Sequence, residues 1–415
     1  MAYHSISDKK ALSLAALMAA SLSLSTALPT QSHAKDFLDD VEISGYIEPE
    51  LRIFTQSPSR PGQNANDFSI AGEVTFETFW DNSDQWIVVK PFARWDLRDH
   101  ERSHWDLREA KYARVIGDWE FRIGIDKVFW GVTEAAHLID IINQSDFVES
   151  VDGEEKLGQP LVQVSTAQDF GTFDFYLLPY FRERTYPAAD GRPATDIPVD
   201  EASARFESSQ EERHVDFAAR YSNTFEDWDV GLSYFQGTAR DPILQPGFNS
   251  KGEFVLIPYY AQIKQVSVDV QATKEAWLYK FEGFMRNELG ANYFQASGGI
   301  EYSFYGIFDT SGDLGIIAEY IWDDRGENFA NPFANDAFAG MRWALNDEAS
   351  TTLLGGAILD LDTSALSLSL EAERRLGDDY FVSVEARFFT NVPQSDPLFS
   401  YTDDDFLQLR VARYF

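Results

Sequence analysis

Charged side chains recur at every second position along much of this chain, with apolar residues between them. Glu48, Glu50 and Arg52 form one row, Lys90, Arg94 and Asp96 a second, and Arg122 and Asp126 a third. Later rows hold Tyr180, Arg182 and Arg184; Asp216 and Arg220; Lys280, Glu282 and Arg286; Glu385 and Arg387; and Arg410. A period of two puts each row on one face of a strand. Rows of opposite charge facing across water set up a transverse field that orients polar solutes. The bland alternative is that such charges only solvate or brace a wall. The candidate lining residues are Arg52, Lys90, Arg94, Arg122, Asp126, Arg182, Arg184, Arg220, Arg286, Arg387 and Arg410.

Covalent and metal chemistry find little support. The chain has no cysteine, which excludes disulfides, thiolate metal sites and cysteine nucleophiles. No phosphate-binding glycine loop, zinc-spaced histidine cluster or G-x-S-x-G is present. His100 and His104 in "HERSH" have the spacing of a helical metal pair, but they fall in a tight connection between strands. Asp403, Asp404 and Asp405 lack the spaced ligands and glycine of a calcium loop, and read as a solvated acidic face. The expectation is no enzyme, no metal and no cofactor. A formal net charge of -34 argues against nucleic acid as a partner.

The elements that carry the rows are strands of about ten residues. "YFVSVEARFF" puts Tyr380, Val382, Val384, Ala386 and Phe388 opposite Phe381, Ser383, Glu385, Arg387 and Phe389. "WLYKFEGFMR" sets Trp277, Tyr279, Phe281 and Met285 against Lys280, Glu282 and Arg286. Short turns at 81–84, 117–118, 169–171, 226–227, 274–276, 310–313, 346–350 and 377–379 alternate with other connections, several of them long. The long ones fall near 56–66, 131–157, 184–211, 239–263 and 391–403. The expected fold is all-β: a transmembrane antiparallel up-and-down barrel of about 18 strands (roughly 16–18), with short periplasmic turns and long extracellular loops. The last residues, "FLQLRVARYF", alternate to Phe415, as a strand would that closes the barrel against "VEISGYIEPELRIF". All ten tryptophans lie near strand ends, where aromatic girdles meet the headgroup layers.

Residues 1–34 read as a secretory signal. Lys9 and Lys10 precede an apolar run, and Ser32-His33-Ala34 supplies a small-residue cleavage site. Residues 35–415 would be the barrel, with 131–158 as its constriction loop. In that loop "TEAAHLIDIIN" suggests a helix capped by Thr133, with Ala136, Leu138, Ile139 and Ile142 as an apolar stripe needing a surface to cover. Its candidate lumen-facing residues are His137, Asp140, Asp146, Glu149 and Asp152. A helix outside the barrel or at a subunit contact is the alternative. Residues 186–212 read as a solvated, mobile loop. "FVLIPYYAQI" (254–263) would either plug the lumen or extend a strand beyond the membrane.

The signal, the strand meander and terminal Tyr414-Phe415 resemble Gram-negative outer-membrane β-barrel proteins. "LREAKYARVIGDWEFRIGIDKVFWG" and "NPFANDAFAGMRWALND" are similar to stretches of a porin-like family of uncharacterised substrate. The resemblance implies an outer-membrane location and contact with outer-membrane lipid and lipopolysaccharide. It also implies recognition of Phe415 by the barrel assembly machinery. The expected function is passive diffusion of ions or small polar or acidic solutes. The alternatives are a non-conducting adhesion or assembly scaffold, or an outer-membrane lipid-modifying enzyme.

Overall fold

In a computed structural model the described residues are 41–326 and 332–415. The expected signal lies outside them. Alternating sequence becomes strand almost throughout: β1 (Glu42–Phe54), β2 (Asn66–Trp80), β3 (Gln85–Asp96), β4 (Trp105–Ile116), β5 (Trp119–Asp126), β6 (Gln159–Gln168) and β7 (Gly171–Leu178). After β8 (Arg205–Phe206) come β9 (Asp216–Phe225), β10 (Trp228–Thr238), β11 (Ile243–Phe248), β12 (Phe254–Tyr260), β13 (Gln262–Lys274) and β14 (Trp277–Glu288). The rest are β15 (Ala291–Phe304), β16 (Asp313–Asp323), β17 (Asn335–Ala344), β18 (Thr352–Asp360), β19 (Leu366–Leu376), β20 (Tyr380–Thr390) and β21 (Phe406–Tyr414).

Eighteen of these strands form one sheet. All its pairings are antiparallel, and β1 pairs with β21, so the sheet closes on itself. Leu51 stands opposite Leu409 and Ile53 opposite Leu407. Beyond the last strand residue, Gly45 and Phe415 exchange two backbone hydrogen bonds of 3.0 Å. The alternation to the final residue therefore serves closure: in hydrocarbon an unpaired edge would leave each amide unsatisfied. Pro91 has no N–H to give the ladder, and the register shifts beside it, between Lys90 and Pro91.

The outward faces are apolar. On β1, Ile43, Ile47, Leu51 and Ile53 are exposed, and Glu48, Glu50 and Arg52 point inward. Trp95, Trp105 and Trp322 are exposed at the loop end, and Trp119, Trp228 and Trp277 at the turn end, which gives two girdles. Trp130 departs from this pattern, because it is buried against Tyr176 with ring centroids 5.7 Å apart.

The loops correct two expectations and decide a third. Residues 186–212 are not merely solvated: Tyr186, Ala188, Arg192 and Ala194 are buried. The acidic run is not a free face either, since Asp404 is buried and accepts from Arg192 Nε at 2.6 Å. "FVLIPYYAQI" largely becomes β12, which pairs with β11 and β8 in a separate three-stranded sheet. Its Tyr260 packs on Phe181 and Phe206 at 4.9 and 5.2 Å.

Candidate functional site

The connection from β5 to β6, residues 127–158, enters the barrel and touches its wall on several sides. Its apolar residues do find a surface. Ile139, Ile141 and Ile142 are buried in one cluster with Leu161, Tyr176, Leu178, Phe235 and Ile263, from the stretch of wall between β6 and β13. The expected helix does not form, and residues 133–143 are irregular. The wall supplies the reason. Inward-facing Glu282 of β14 accepts from Val132 N (3.1 Å), Leu138 N (2.7 Å) and the Thr133 hydroxyl (2.7 Å). Glu319 of β16 accepts from Glu134 N and Ala135 N, both at 2.9 Å. These amides would head a helix, and carboxylates from the wall satisfy them without one. Thr133 Oγ1 lies 2.6 Å from the Ala136 carbonyl as well as 2.7 Å from Glu282, shares its single hydrogen between them, and caps nothing.

A buried ionic lattice holds the loop to the opposite side. Glu149 accepts from Arg94 Nε at 2.8 Å and Nη2 at 2.9 Å, a two-pronged contact. Arg94 also reaches Glu50 (3.3 Å), which takes Arg410 Nε at 3.0 Å and Arg102 Nη2 at 3.0 Å. Arg52 stands 3.5 Å from the same carboxylate. Burial alone would push the Glu149 carboxyl up, but Arg94 and Arg102 outweigh it and hold it far below the ordinary range. His104 lies 3.7 Å from both Asp146 and Glu149. Burial would lower its imidazole, but these acids raise it. His100 is well exposed and lies elsewhere, so the "HERSH" pair does not converge. Among the described residues no cluster of three or more His, Asp or Glu could hold a metal.

The remaining candidates divide by position. Lys90 pairs with Glu109 and Asp126 with Lys111, each at 2.6 Å. Arg122 bonds Glu120 and lies 3.7 Å from Asp126. Arg220 grips Asp269 through two bonds of 2.7 and 2.8 Å. Arg182 and Arg184 are not on a strand, because β7 ends at Leu178. Arg182 reaches Asp106 at 2.8 Å, and Arg184 reaches Asp241 at 2.5 Å. Tyr180, grouped with them in sequence, is exposed. Arg286 bonds Gln265 at 2.7 Å and lies 3.7 Å from Asp241. Arg387 bonds Glu385 at 2.6 Å and also binds Asp152 of the loop. His137 stands 3.1 Å from Glu154; burial would lower its imidazole, but that carboxylate raises it. Asp140 lies 3.3 Å from Lys156, and burial pushes its carboxyl up.

What the loop leaves open is a chamber of about 850 Å³, bounded by residues 134–156, the wall from β14 to β20, and Asp241 and Tyr401 from other loops. Arg184, Arg286, Arg387, His137, Asp140 and Asp152 line it. Sequence reasoning missed Arg102, Asp241 and Arg240, the last of which donates to the Ile142 carbonyl of the inserted loop at 3.1 Å and to Asp216 at 2.9 Å; all three sit in loops with no period to mark them. It placed Glu282 inward without seeing its role as a clamp.

This is the fold of porin-like outer-membrane β-barrels: a closed antiparallel sheet, an apolar outer band between aromatic girdles, and a charged interior with a loop folded into it. Among solved structures it is similar to a BenF-like porin from Pseudomonas fluorescens Pf-5, with a TM-score of 0.53 and 11% identity over 91% of this chain and 99% of that one. OmpT of Vibrio cholerae matches with a TM-score of 0.42 and 10% identity, covering 90% of this chain and 99% of its own. A mutant of the Rh. blastica porin matches with a TM-score of 0.42 and 12% identity, covering 90% and 100%. Neither the family models nor the curated proteins give a match.

Proposed function

We propose that the chain is an outer-membrane channel that passes ions and small polar solutes by diffusion. The observation that carries this reading is the chamber of about 850 Å³ left inside a closed barrel, with charged groups on several sides. The lining arginines are engaged with carboxylates of the chain itself, so neutral polar solutes and cations fit the chamber better than acidic solutes do. Reconstitution in a planar bilayer under a salt gradient tests it. Discrete steps with a cation-selective reversal potential are expected; folded, heat-modifiable protein that carries no current would overturn it.

A second reading, a plugged barrel serving as a scaffold, draws on the buried lattice around Glu50 and Glu149. On that reading the intact protein is silent, and deleting residues 133–154 opens it.

A further inference from the structure

The inner wall has an apolar area around Leu161, Leu178 and Phe235 that the inserted loop covers, and a second that borders the chamber. On β17 and β18 the register sets Phe338 opposite Ile358, Gly340 opposite Gly356, and Arg342 opposite Leu354. Arg342 reaches Glu134 of the inserted loop at 2.5 Å, which identifies this face as the inner one. Phe338, Leu354, Gly356 and Ile358 therefore face the chamber, and they line it. The Phe338 ring covers the two glycines. A Cβ at Gly356 would fall 2.3 Å from it, and one at Gly340 2.6 Å. Across β19 the shelf continues as uncharged Ser367 and Ser369, opposite Ile358 and Gly356.

Between Thr352 and Asp360, β18 is thus apolar on both faces. The outer face answers to lipid, but closure of the barrel makes no such demand on the inner one. Phe338 is buried over the glycines, but Leu354 and Ile358 are only half-buried beside a chamber of about 850 Å³, and apolar groups left part-open there form a contact surface. The charges around the shelf indicate what it contacts. Side-chain exposure is 56% for Glu154, 43% for Glu371 and 40% for Asp241. It is only 7% for Arg184, 6% for Arg286 and 16% for Arg387. Around the chamber these carboxylates face the water and these three guanidinium groups are withdrawn; Arg342, 42% exposed, flanks Leu354 from β17 with its guanidinium engaged by Glu134 at 2.5 Å. Glu371 stands directly opposite Leu354, so its carboxylate borders the shelf, although its Oε1 also lies 3.3 Å from Arg387.

We propose that Phe338, Leu354 and Ile358, with Glu371 at their edge, form a binding subsite for organic cations with an apolar body, such as aromatic primary ammonium compounds. This rests on the channel reading and names its solute class. The ammonium meets Glu371; the body lies on the shelf, where a ring can pack against Phe338. A sugar would need hydrogen-bonding groups where Leu354 and Ile358 stand. An organic anion would meet the exposed acids.

Phenethylammonium, ethylammonium and phenylacetate are titrated into the folded barrel in detergent by calorimetry, and each is also tested as a blocker of potassium current in a bilayer. Phenethylammonium is expected to bind at least about tenfold more tightly than either of the others, a difference of about 1.4 kcal/mol. Ile358→Asn and Glu371→Gln should each weaken it by about tenfold. Equal affinity for the three probes in wild-type protein overturns the subsite, whether or not the variants fold. Current without selective binding refutes the subsite and leaves the channel. Selective binding without current refutes the channel and leaves the subsite.

Discussion

Glu282 holds the inserted loop more directly than any other wall residue, and its removal gives the sharpest test of how the lumen is narrowed. The carboxylate is fully buried and accepts three hydrogen bonds, from Val132 N, Leu138 N and the Thr133 hydroxyl. Bonds to a charged acceptor contribute about 1.5–3 kcal/mol each. Water from the adjoining chamber can replace part of that in Glu282→Ala, and the variant no longer buries a carboxylate. A net loss of about 3 kcal/mol in docking is a reasonable working figure, and it raises the undocked population of 132–138 by about a hundredfold. Glu282→Gln is the graded control. Keeping Oε1, it retains the Thr133 and Leu138 contacts and loses only the one from Val132, so its effect should be about a third as large in free energy. The assay pairs single-channel conductance with amide exchange at residues 132–138. Conductance and exchange should both rise in the order wild type, Gln, Ala, and heat-modifiability should persist because the strand ladder is untouched. A folded Glu282→Ala protein with wild-type conductance and unchanged exchange at Leu138 would refute the clamp.

Other outcomes follow from the same geometry. Glu149→Ala leaves Arg94 and Arg102 buried beside an empty acceptor, and loss of such a partner should loosen the loop's other anchor by about 3–5 kcal/mol, read as increased proteolysis within 145–155. Acidity should act on the loops in one direction near neutrality. Burial and the neighbouring Glu212 push Glu183 up to about 7, burial pushes Glu201 up to about 7, and His104 and His137 are raised by their acids. Every one of these groups holds more protons in the packed state than when free, so packing is strongest in acid and weakens as pH rises through about 7. Conductance should therefore increase between about pH 5 and pH 8, and a decrease would contradict the assignment. Deleting Phe415 removes both bonds that join it to Gly45 at the seam, and should lower the yield of heat-modifiable barrel. Gly356→Leu would drive a side chain into the Phe338 ring and displace it toward the chamber, which should reduce the passage of larger solutes before that of potassium.

The barrel was largely legible in the sequence because its rule is local. A period of two and eight short turns alternating with other connections imply about 18 strands, roughly 16–18, without knowledge of any contact, and the sheet has 18. The inward assignment of Glu48, Glu50, Arg52, Lys280, Glu282 and Arg286 follows from the same parity. The loops obey no such rule. Thr133 to Asn143 carries the local marks of a helix, and in isolation nothing competes with helical hydrogen bonding there. Glu282 and Glu319, some 140–190 residues away in sequence, compete for the same amides and prevail. The acidic run at 403–405 reads as solvated for the same reason: Arg192, which buries Asp404, is more than 200 residues distant in sequence.

What the sequence determined by itself was the wall: which faces meet lipid, where the strands turn, and that the final strand must pair with the first. Backbone groups in hydrocarbon have no partner but the next strand, so local alternation is enough to specify them. The tertiary structure alone decided what fills the interior. There, wall carboxylates, loop amides and buried arginines from distant segments compete for one another, and only their placement in space selects the pairs that form and the chamber that remains.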